Sequence, residues 1–139
     1  MGFGTFTGER MSHMFGAEVD VWDRFLAREG RAVTNCIYDL KLGDGRPGAA
    51  DMSAKDRALW YAVTAKRVDV VCNWHDRLWI VEVKANLCMS GLGQVLSYVE
   101  LFNRGRTAGD LGLPMLVAGG RDADLEPAYR LHNVRVEYV

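Results

Sequence analysis

The residues of this sequence best suited to chemistry are two acids and a lysine, Asp69, Glu82 and Lys84. All three lie in strand-like runs rich in Val, Ile and Trp, and Glu82 and Lys84 share a face because they are two positions apart. Two carboxylates held close together repel each other unless a proton or a cation lies between them. Oxygen ligands with no His or Cys nearby favour Mg²⁺ or Mn²⁺ over Zn²⁺. These residue types therefore favour a divalent metal site with a lysine beside it.

A β-hairpin would bring the two acids together. Residues 67–74 and 77–84 form two apolar runs separated by two polar residues, a pattern that predicts antiparallel strands joined by a two-residue turn. In that register Asp69 lies directly opposite Glu82, and the Cβ atoms of such a pair lie about 4.5 to 5.5 Å apart. The alternative is an exposed sheet face with solvated charges, on which Lys84 only forms a salt bridge.

The remaining elements follow from apolar periodicity and from turn residues. The sequence predicts a loose arm over residues 1–12 and one domain over residues 13–139, with an α/β (α+β) fold in which helices flank a central mixed β-sheet. Ser53 and Ser90 are the expected N-caps of two helices. Helices are expected at 12–29, 53–66, 91–104 and 124–131, and strands at 32–42, 67–74, 77–84, 114–118 and 134–139. Glu18 falls in the middle of the apolar arc of the first helix, where an acid is unfavourable unless it is paired or functional.

Composition excludes several classes of protein. The chain has 139 residues, 25% of them charged, and a net charge of -1, which fits an ordinary globular domain. Its apolar runs are far shorter than the roughly 18 residues of a membrane span, and no secretory signal is legible. We therefore expect a cytoplasmic or virion-associated protein with no membrane partner. The three cysteines and three histidines lack metal-binding spacing, so a zinc site is not expected.

The acids and the lysine resemble a known signature. Asp69 on one strand, followed by Glu82-Val83-Lys84 at the end of the next, is similar to the D…ExK pattern of the PD-(D/E)XK nuclease superfamily. Downstream, Gln94 and Tyr98 resemble the QxxxY element of its RecB-like and phage exonuclease-like members. The resemblance covers about residues 63–102.

Two features of the sequence depart from the nuclease pattern, whereas a third, Glu18, agrees with what is common in such families. No proline precedes Asp69, and residues 43–66 form an insertion that the resemblance does not explain. Glu18 lies where such families often carry an additional acid.

The resemblance implies a restriction-endonuclease-like fold and metal-dependent hydrolysis of phosphodiester bonds in DNA. Asp69, Glu82 and the Val83 carbonyl would bind Mg²⁺ or Mn²⁺, and Glu18 would add a ligand through water or complete a second metal site. Lys84 and the metal would position and activate water for in-line attack that expels the 3′ oxygen, and Lys84 would also stabilise developing negative charge.

Other side chains receive supporting roles from the same resemblance. Gln94 and Tyr98, four residues apart on one helix face, would orient the water, the lysine or the scissile strand. The alternatives are helix surface for Gln94, core packing for Tyr98 and a buried ion pair for Glu18. Four basic residues could contact phosphates or simply belong to a scattered basic surface: Lys66, Arg67, Arg104 and Arg106.

Three functions are consistent with this pattern. The first is a small nuclease that acts on DNA ends, branches or single strands, because the chain has no room for a separate recognition domain; a phage or mobile-element origin is consistent with this function. The second is a nuclease-fold adaptor subunit that docks into a phage particle or a DNA-processing complex through Phe3 and Phe6 of the arm. The third, a regulatory nucleic-acid binder, has little support because no strongly basic face appears. A homodimer is also consistent with the resemblance.

Overall fold

The computed structural model describes Met14 and residues 16–139. The arm predicted at residues 1–12, with Phe3 and Phe6, lies outside the described residues. In chain order, the helices and strands of the described range are α1 (Gly16–Glu29), β1 (Val33–Leu42), α2 (Ala54–Thr64), β2 (Lys66–Trp74), β3 (Arg77–Asn86), α3 (Met89–Asn103), β4 (Leu113–Gly120), α4 (Glu126–Leu131) and β5 (Arg135–Tyr138).

The five strands form one mixed sheet in the order β1-β2-β3-β4-β5. β1, β2 and β3 are antiparallel neighbours, whereas β4 runs parallel to β3 and β5 runs parallel to β4. Parallel neighbours need a crossover connection, and the chain makes those crossovers through α3 and α4. The predicted α/β (α+β) class, with a central mixed sheet flanked by helices, is confirmed.

The core lies on both faces of the sheet. Trp22 and Phe25 of α1 are fully buried against one face, together with Val81 and Val83 of β3. On the other face, α3 and α4 cover Ile80 of β3 and Leu116 of β4 with the buried side chains Val95, Tyr98 and Tyr129. No helix in the described part of the chain is long and apolar enough to cross a membrane.

The β2–β3 hairpin has the register that its sequence predicts. Trp74 pairs with Arg77, and the ladder continues to the pair Val70–Val81. The two turn residues, His75 and Asp76, have φ angles of 49° and 59°. Positive φ at both positions is the geometry of the two-residue turn that matches strand twist.

The sheet divides at the far end of this hairpin. β2 pairs with β3 only as far as Val70, although it continues alongside β1 to Lys66. β3 meanwhile continues alongside β4 to Asn86. Two arms, β1–β2 and β3–β4, therefore separate, and the gap between residues 66–69 and residues 82–86 is called the fork below.

The β1–β2 arm changes face at Asp39, which has a φ of 53°. Before it, Tyr38 and its partner Val70 pack on the α1 side of the sheet. After it, Leu40 and its partner Val68 pack on the α3 side, although simple alternation would keep positions 38 and 40 on one face. This local turn of the backbone accompanies the opening of the fork.

One predicted helix cap is correct and the other is wrong. Ser53 caps α2, where its hydroxyl accepts a hydrogen bond of 3.1 Å from the Asp56 N–H. Ser90 does not cap α3, because the helix already begins at Met89 with Cys88 at the N-cap. The Tyr129 hydroxyl donates to the Cys88 carbonyl at 2.6 Å, so tertiary contacts fix the start of this helix.

Candidate functional site

Asp69 and Glu82 lie where the fork opens. If β2 and β3 stayed paired, the Val83 N–H would bond to the β2 backbone. It donates instead to Asp69 Oδ2 at 2.9 Å. Asp69 is 9% exposed and Glu82 is 3% exposed. Glu82 Oε2 is buried with no hydrogen-bond partner in the structure. The structure thus brings together the two acids that the hairpin register pairs, one step beyond the last backbone pair.

The environment of the two acids favours their protonated forms. Burial, followed by repulsion from Asp69, raises the pKa of Glu82 to about 8. Burial also raises the pKa of Asp69 to about 6, although the Val83 N–H favours its charged form. Near neutral pH the pair therefore holds about one proton, which belongs to the two sites jointly. A divalent cation placed between them would replace that proton.

Lys84 extends into the fork beside the acids, as its alternation with Glu82 predicts. Its Nζ lies 3.1 Å from Glu82 Oε1, and its side chain is mostly buried. Burial acts against the charge of Lys84, but Glu82, with smaller contributions from Glu18 and Asp69, outweighs it and raises the pKa of Lys84. The ammonium group is therefore a fixed positive charge within the site.

Gln94 and Tyr98 of α3 line the fork from the face of the sheet that α3 covers. Tyr98 is largely buried, and burial, followed by the charges of Glu82 and Asp69, raises its pKa to about 12. Its phenol therefore remains protonated. The Gln94 side chain hydrogen-bonds to Tyr98, and Gln94 Oε1 is buried with no hydrogen-bond partner. Both residues therefore line the site, as their spacing of four residues predicts.

Glu18 approaches the same space from the first turn of α1, on the other face of the sheet. It is half-buried and adds to the raised pKa values of Asp69 and Glu82. Groups from both faces meet here because the fork is a break in the sheet. The resulting cleft has a volume of about 580 Å³ and is lined by Glu18, Val63, Ala65, Lys66, Arg67, Asp69, Glu82, Lys84, Gln94 and Tyr98.

Asp39 is a further acid at this site that the sequence analysis missed. The β1–β2 register, which pairs Tyr38 with Val70 and Leu40 with Val68, sets Asp39 beside Asp69. Its charge contributes to the raised pKa of Asp69. A non-glycine residue with positive φ is uncommon and often marks a functional position. The sequence carries no signal for it, because Asp39 follows the regular alternation from Tyr38 to Leu42, which is typical of a solvent-facing strand position.

The four basic residues proposed for phosphate contact separate into two pairs. Lys66 and Arg67 line the cleft, whereas Arg104 and Arg106 follow the C-terminal end of α3 and do not. Arg67 also donates a hydrogen bond to the Ala62 carbonyl and so connects α2 to β2. Arg104 pairs with Glu100 on the exposed surface of α3.

The donor set of the fork fits a hard divalent cation. Within residues 14 and 16–139, no group of three His, Cys, Asp or Glu side chains is arranged to hold a metal ion. Mg²⁺, however, usually binds proteins through one or two carboxylates and completes its shell with water and substrate phosphate. Asp69 and Glu82 supply such a pair, and the Oε2 atom of Glu82 lacks any other partner. The Val83 carbonyl faces the same gap, because the N–H and C=O of a strand residue point to the same neighbour.

No family model, no curated protein and no solved structure matches the sequence or the fold significantly. The function must therefore be argued from the geometry of the fork.

Proposed function

We propose that this protein is a metal-dependent nuclease that hydrolyses phosphodiester bonds in DNA, and that its fold is restriction-endonuclease-like. The observation that carries the proposal is the buried pair Asp69 and Glu82, which has a carboxylate oxygen without a partner and a lysine 3.1 Å from the other oxygen. The D…ExK and QxxxY resemblance of the sequence supports the same activity.

In this proposal Asp69, Glu82 and the Val83 carbonyl hold Mg²⁺ or Mn²⁺. A cation of this kind polarises a phosphoryl oxygen and lowers the pKa of water. The N–H of Val83 fixes the orientation of Asp69, so the carboxylate is held before any ligand arrives. This arrangement is the preorganisation that electrostatic catalysis requires.

Lys84 supplies the positive charge that the reaction needs next to the metal. Its ammonium group donates hydrogen bonds to the attacking water or to a non-bridging phosphate oxygen, where negative charge grows in the transition state. The Tyr98 phenol and the Gln94 amide line the same cleft from α3. They would orient the same water or the scissile strand, and Glu18 would help to hold the cation through a water.

A purely structural role explains the fork poorly. Two adjacent buried carboxylates destabilise a fold unless a ligand or a well-arranged set of hydrogen bonds compensates them. A subunit that only docks on partners would gain nothing from them. The proposal therefore favours catalysis over the adaptor function.

The test is cleavage of linear, nicked, branched and single-stranded DNA in Mg²⁺, Mn²⁺ or EDTA. The variants are Glu82→Gln and Lys84→Met, with Glu100→Gln as a matched control because Glu100 is an exposed acid that pairs with Arg104. We expect metal-dependent cleavage by the wild type and the control and almost none by the other two. Equal cleavage by all four proteins, or no cleavage by a folded wild type with either metal, would contradict the proposal.

A further inference from the structure

Helix α2 has almost no packing partner. None of its residues is buried, whereas α1 and α3 each contain buried residues. It is held instead by the loop before it: the Trp60 indole N–H donates to the Arg46 carbonyl at 2.9 Å, and the Arg46 N–H donates to Thr64 Oγ1 at 2.9 Å. Residues 43–64 thus form a small unit beside the sheet, called the α2 lobe here.

The exposed side of the α2 lobe carries an apolar stripe that ends at the cleft. Leu59 is 58% exposed and Val63 is 75% exposed, and their spacing of four residues places them on one side of the helix, with Lys55 one turn earlier. Val63 itself lines the cleft. The line from Lys55 to Val63 is about 12 Å long, which is room for about three stacked nucleotides.

The charge around the stripe is positive. Residues 53–67, which contain α2 and the start of β2, hold four cations and one acid, Asp56, at the start of the helix, whereas the loop at residues 43–52 holds two acids and one cation. Lys55 lies at the outer end of the stripe, and Lys66 lies where the stripe meets the cleft. The surface therefore combines apolar contact area with cations at both ends.

We propose that the α2 lobe binds an unpaired DNA strand and delivers it to the fork, so that the substrate is single-stranded, frayed or branched DNA. This inference rests on the proposed nuclease function and names its substrate. A single strand exposes both phosphates and apolar base faces, and proteins bind it by combining a positive groove with base packing. A duplex offers the phosphates but keeps its base faces stacked inside.

The charge argues against a second copy of the chain as the occupant. In a two-fold dimer the same patch lies on both sides of the interface, so the cations would face one another. A polyanion instead neutralises them and releases counterions.

The test is DNA binding measured by fluorescence anisotropy in EDTA, where no cleavage occurs. Wild type is compared with the double variant Leu59→Ser, Val63→Ser and with Leu131→Ser, which alters a residue that is 78% exposed on α4. We expect the wild type to prefer a single strand over the same sequence as a duplex. We expect the double variant to lose about tenfold in single-strand affinity and less than about twofold in duplex affinity, and the control to lose nothing.

Two results would overturn the inference. One is equal affinity of wild type and double variant for the single strand, with both proteins folded by circular dichroism. The other is a wild-type dimer that the double variant converts to monomer in sedimentation, which would assign the stripe to self-association. Because binding is measured without metal, it does not depend on cleavage. A failure of the nuclease proposal would appear as absent cleavage in Mg²⁺ or Mn²⁺ together with normal single-strand binding in EDTA.

Discussion

The two ends of the β2–β3 hairpin are built from the same strands but differ in how their polar groups are satisfied. At the turn end, Trp74 packs edge-on against Trp79 and Phe25, and its indole N–H donates to Glu29 at 3.2 Å. The Trp79 indole N–H donates to the Trp74 carbonyl at 3.0 Å. Each indole donor at this end is therefore bonded within the protein.

At the fork end the strands separate and a side chain takes the place of a backbone partner. Asp69 accepts the Val83 N–H, and Glu82 retains a buried oxygen with no partner. Buried polar groups without partners cost stability and are rare in native proteins, where a catalytic role or a bound water or ion can account for them. The contrast supports the proposal that the turn end stabilises the fold and the fork end binds a ligand.

The largest effect expected from this difference is on activity at the fork. Glu82→Gln keeps the shape of the side chain but removes a metal-binding charge. We expect at least about a thousandfold loss of cleavage rate with no loss of stability, since one acid of a strained pair is gone. Initial rates and urea unfolding of the same preparations measure both effects. A variant that cleaves within tenfold of wild type, or that unfolds much more easily, would show that the fork is structural.

The turn end should respond in the opposite way. Trp74→Ala removes a buried indole from an aromatic cluster and should lower the free energy of unfolding by about 3 to 5 kcal/mol. Below its melting temperature the variant should still bind Mn²⁺ with wild-type affinity, because Trp74 does not line the cleft. Urea unfolding and calorimetry test the two statements. A large loss of Mn²⁺ affinity in the folded variant would remove the distinction between the two ends.

The pH dependence of stability isolates the fork further. The folded pKa values of Asp69 and Glu82, about 6 and about 8, lie above those of an unfolded chain, near 4. The protonated acids therefore contribute fully to the free energy of unfolding below about pH 4, and this contribution is lost as the pH rises through 6 and 8. In EDTA we expect the free energy of unfolding to fall by a few kcal/mol over this range.

Glu82→Gln tests this assignment, because it should remove the decrease in the free energy of unfolding near pH 8. Glu100→Gln should leave the dependence of that free energy on pH unchanged. Saturating Mg²⁺ should also flatten the curve, since the cation replaces the proton. Identical curves for wild type and Glu82→Gln would contradict the assignment.

The smallest effect concerns Asp39. Asparagine tolerates the φ of 53° but carries no charge, so Asp39→Asn should stabilise the metal-free protein by about 0.2 to 1 kcal/mol and weaken Mg²⁺ binding a few-fold. Asp39→Ala provides the contrast, because it also strains the backbone. Urea unfolding with and without Mg²⁺ measures both changes. A less stable Asp39→Asn protein would show that Asp39 is needed for packing or hydrogen bonding instead.

The sequence predicts the hairpin and the placement of its acids well, for a physical reason. A two-residue turn leaves little freedom in register, so counting outward from His75 and Asp76 gives the backbone pairs from Trp74–Arg77 to Val70–Val81. The predicted pair of Asp69 and Glu82 lies one step beyond them, where the strands separate. The cap at Ser53 is equally local, since it depends on a residue only three positions away.

The features that the sequence does not predict depend on distant parts of the chain. β1 and β2 are separated by the whole α2 lobe, and a bulge between Thr34 and Ile37 shifts their register, so the position of Asp39 could not be counted. The start of α3 is set by Tyr129, which lies 41 residues from Cys88. The exposure of α2 likewise cannot be predicted locally, because it depends on whether another part of the chain packs against the helix.

The most direct test of the central claim is calorimetric titration of Mn²⁺ into wild type, Asp69→Asn, Glu82→Gln and the control Glu100→Gln. If the fork is a metal centre, the wild type and the control bind Mn²⁺ with proton release, and both fork variants lose that binding while they remain folded. Equal Mn²⁺ binding by all four proteins, or none by the wild type, would contradict the account.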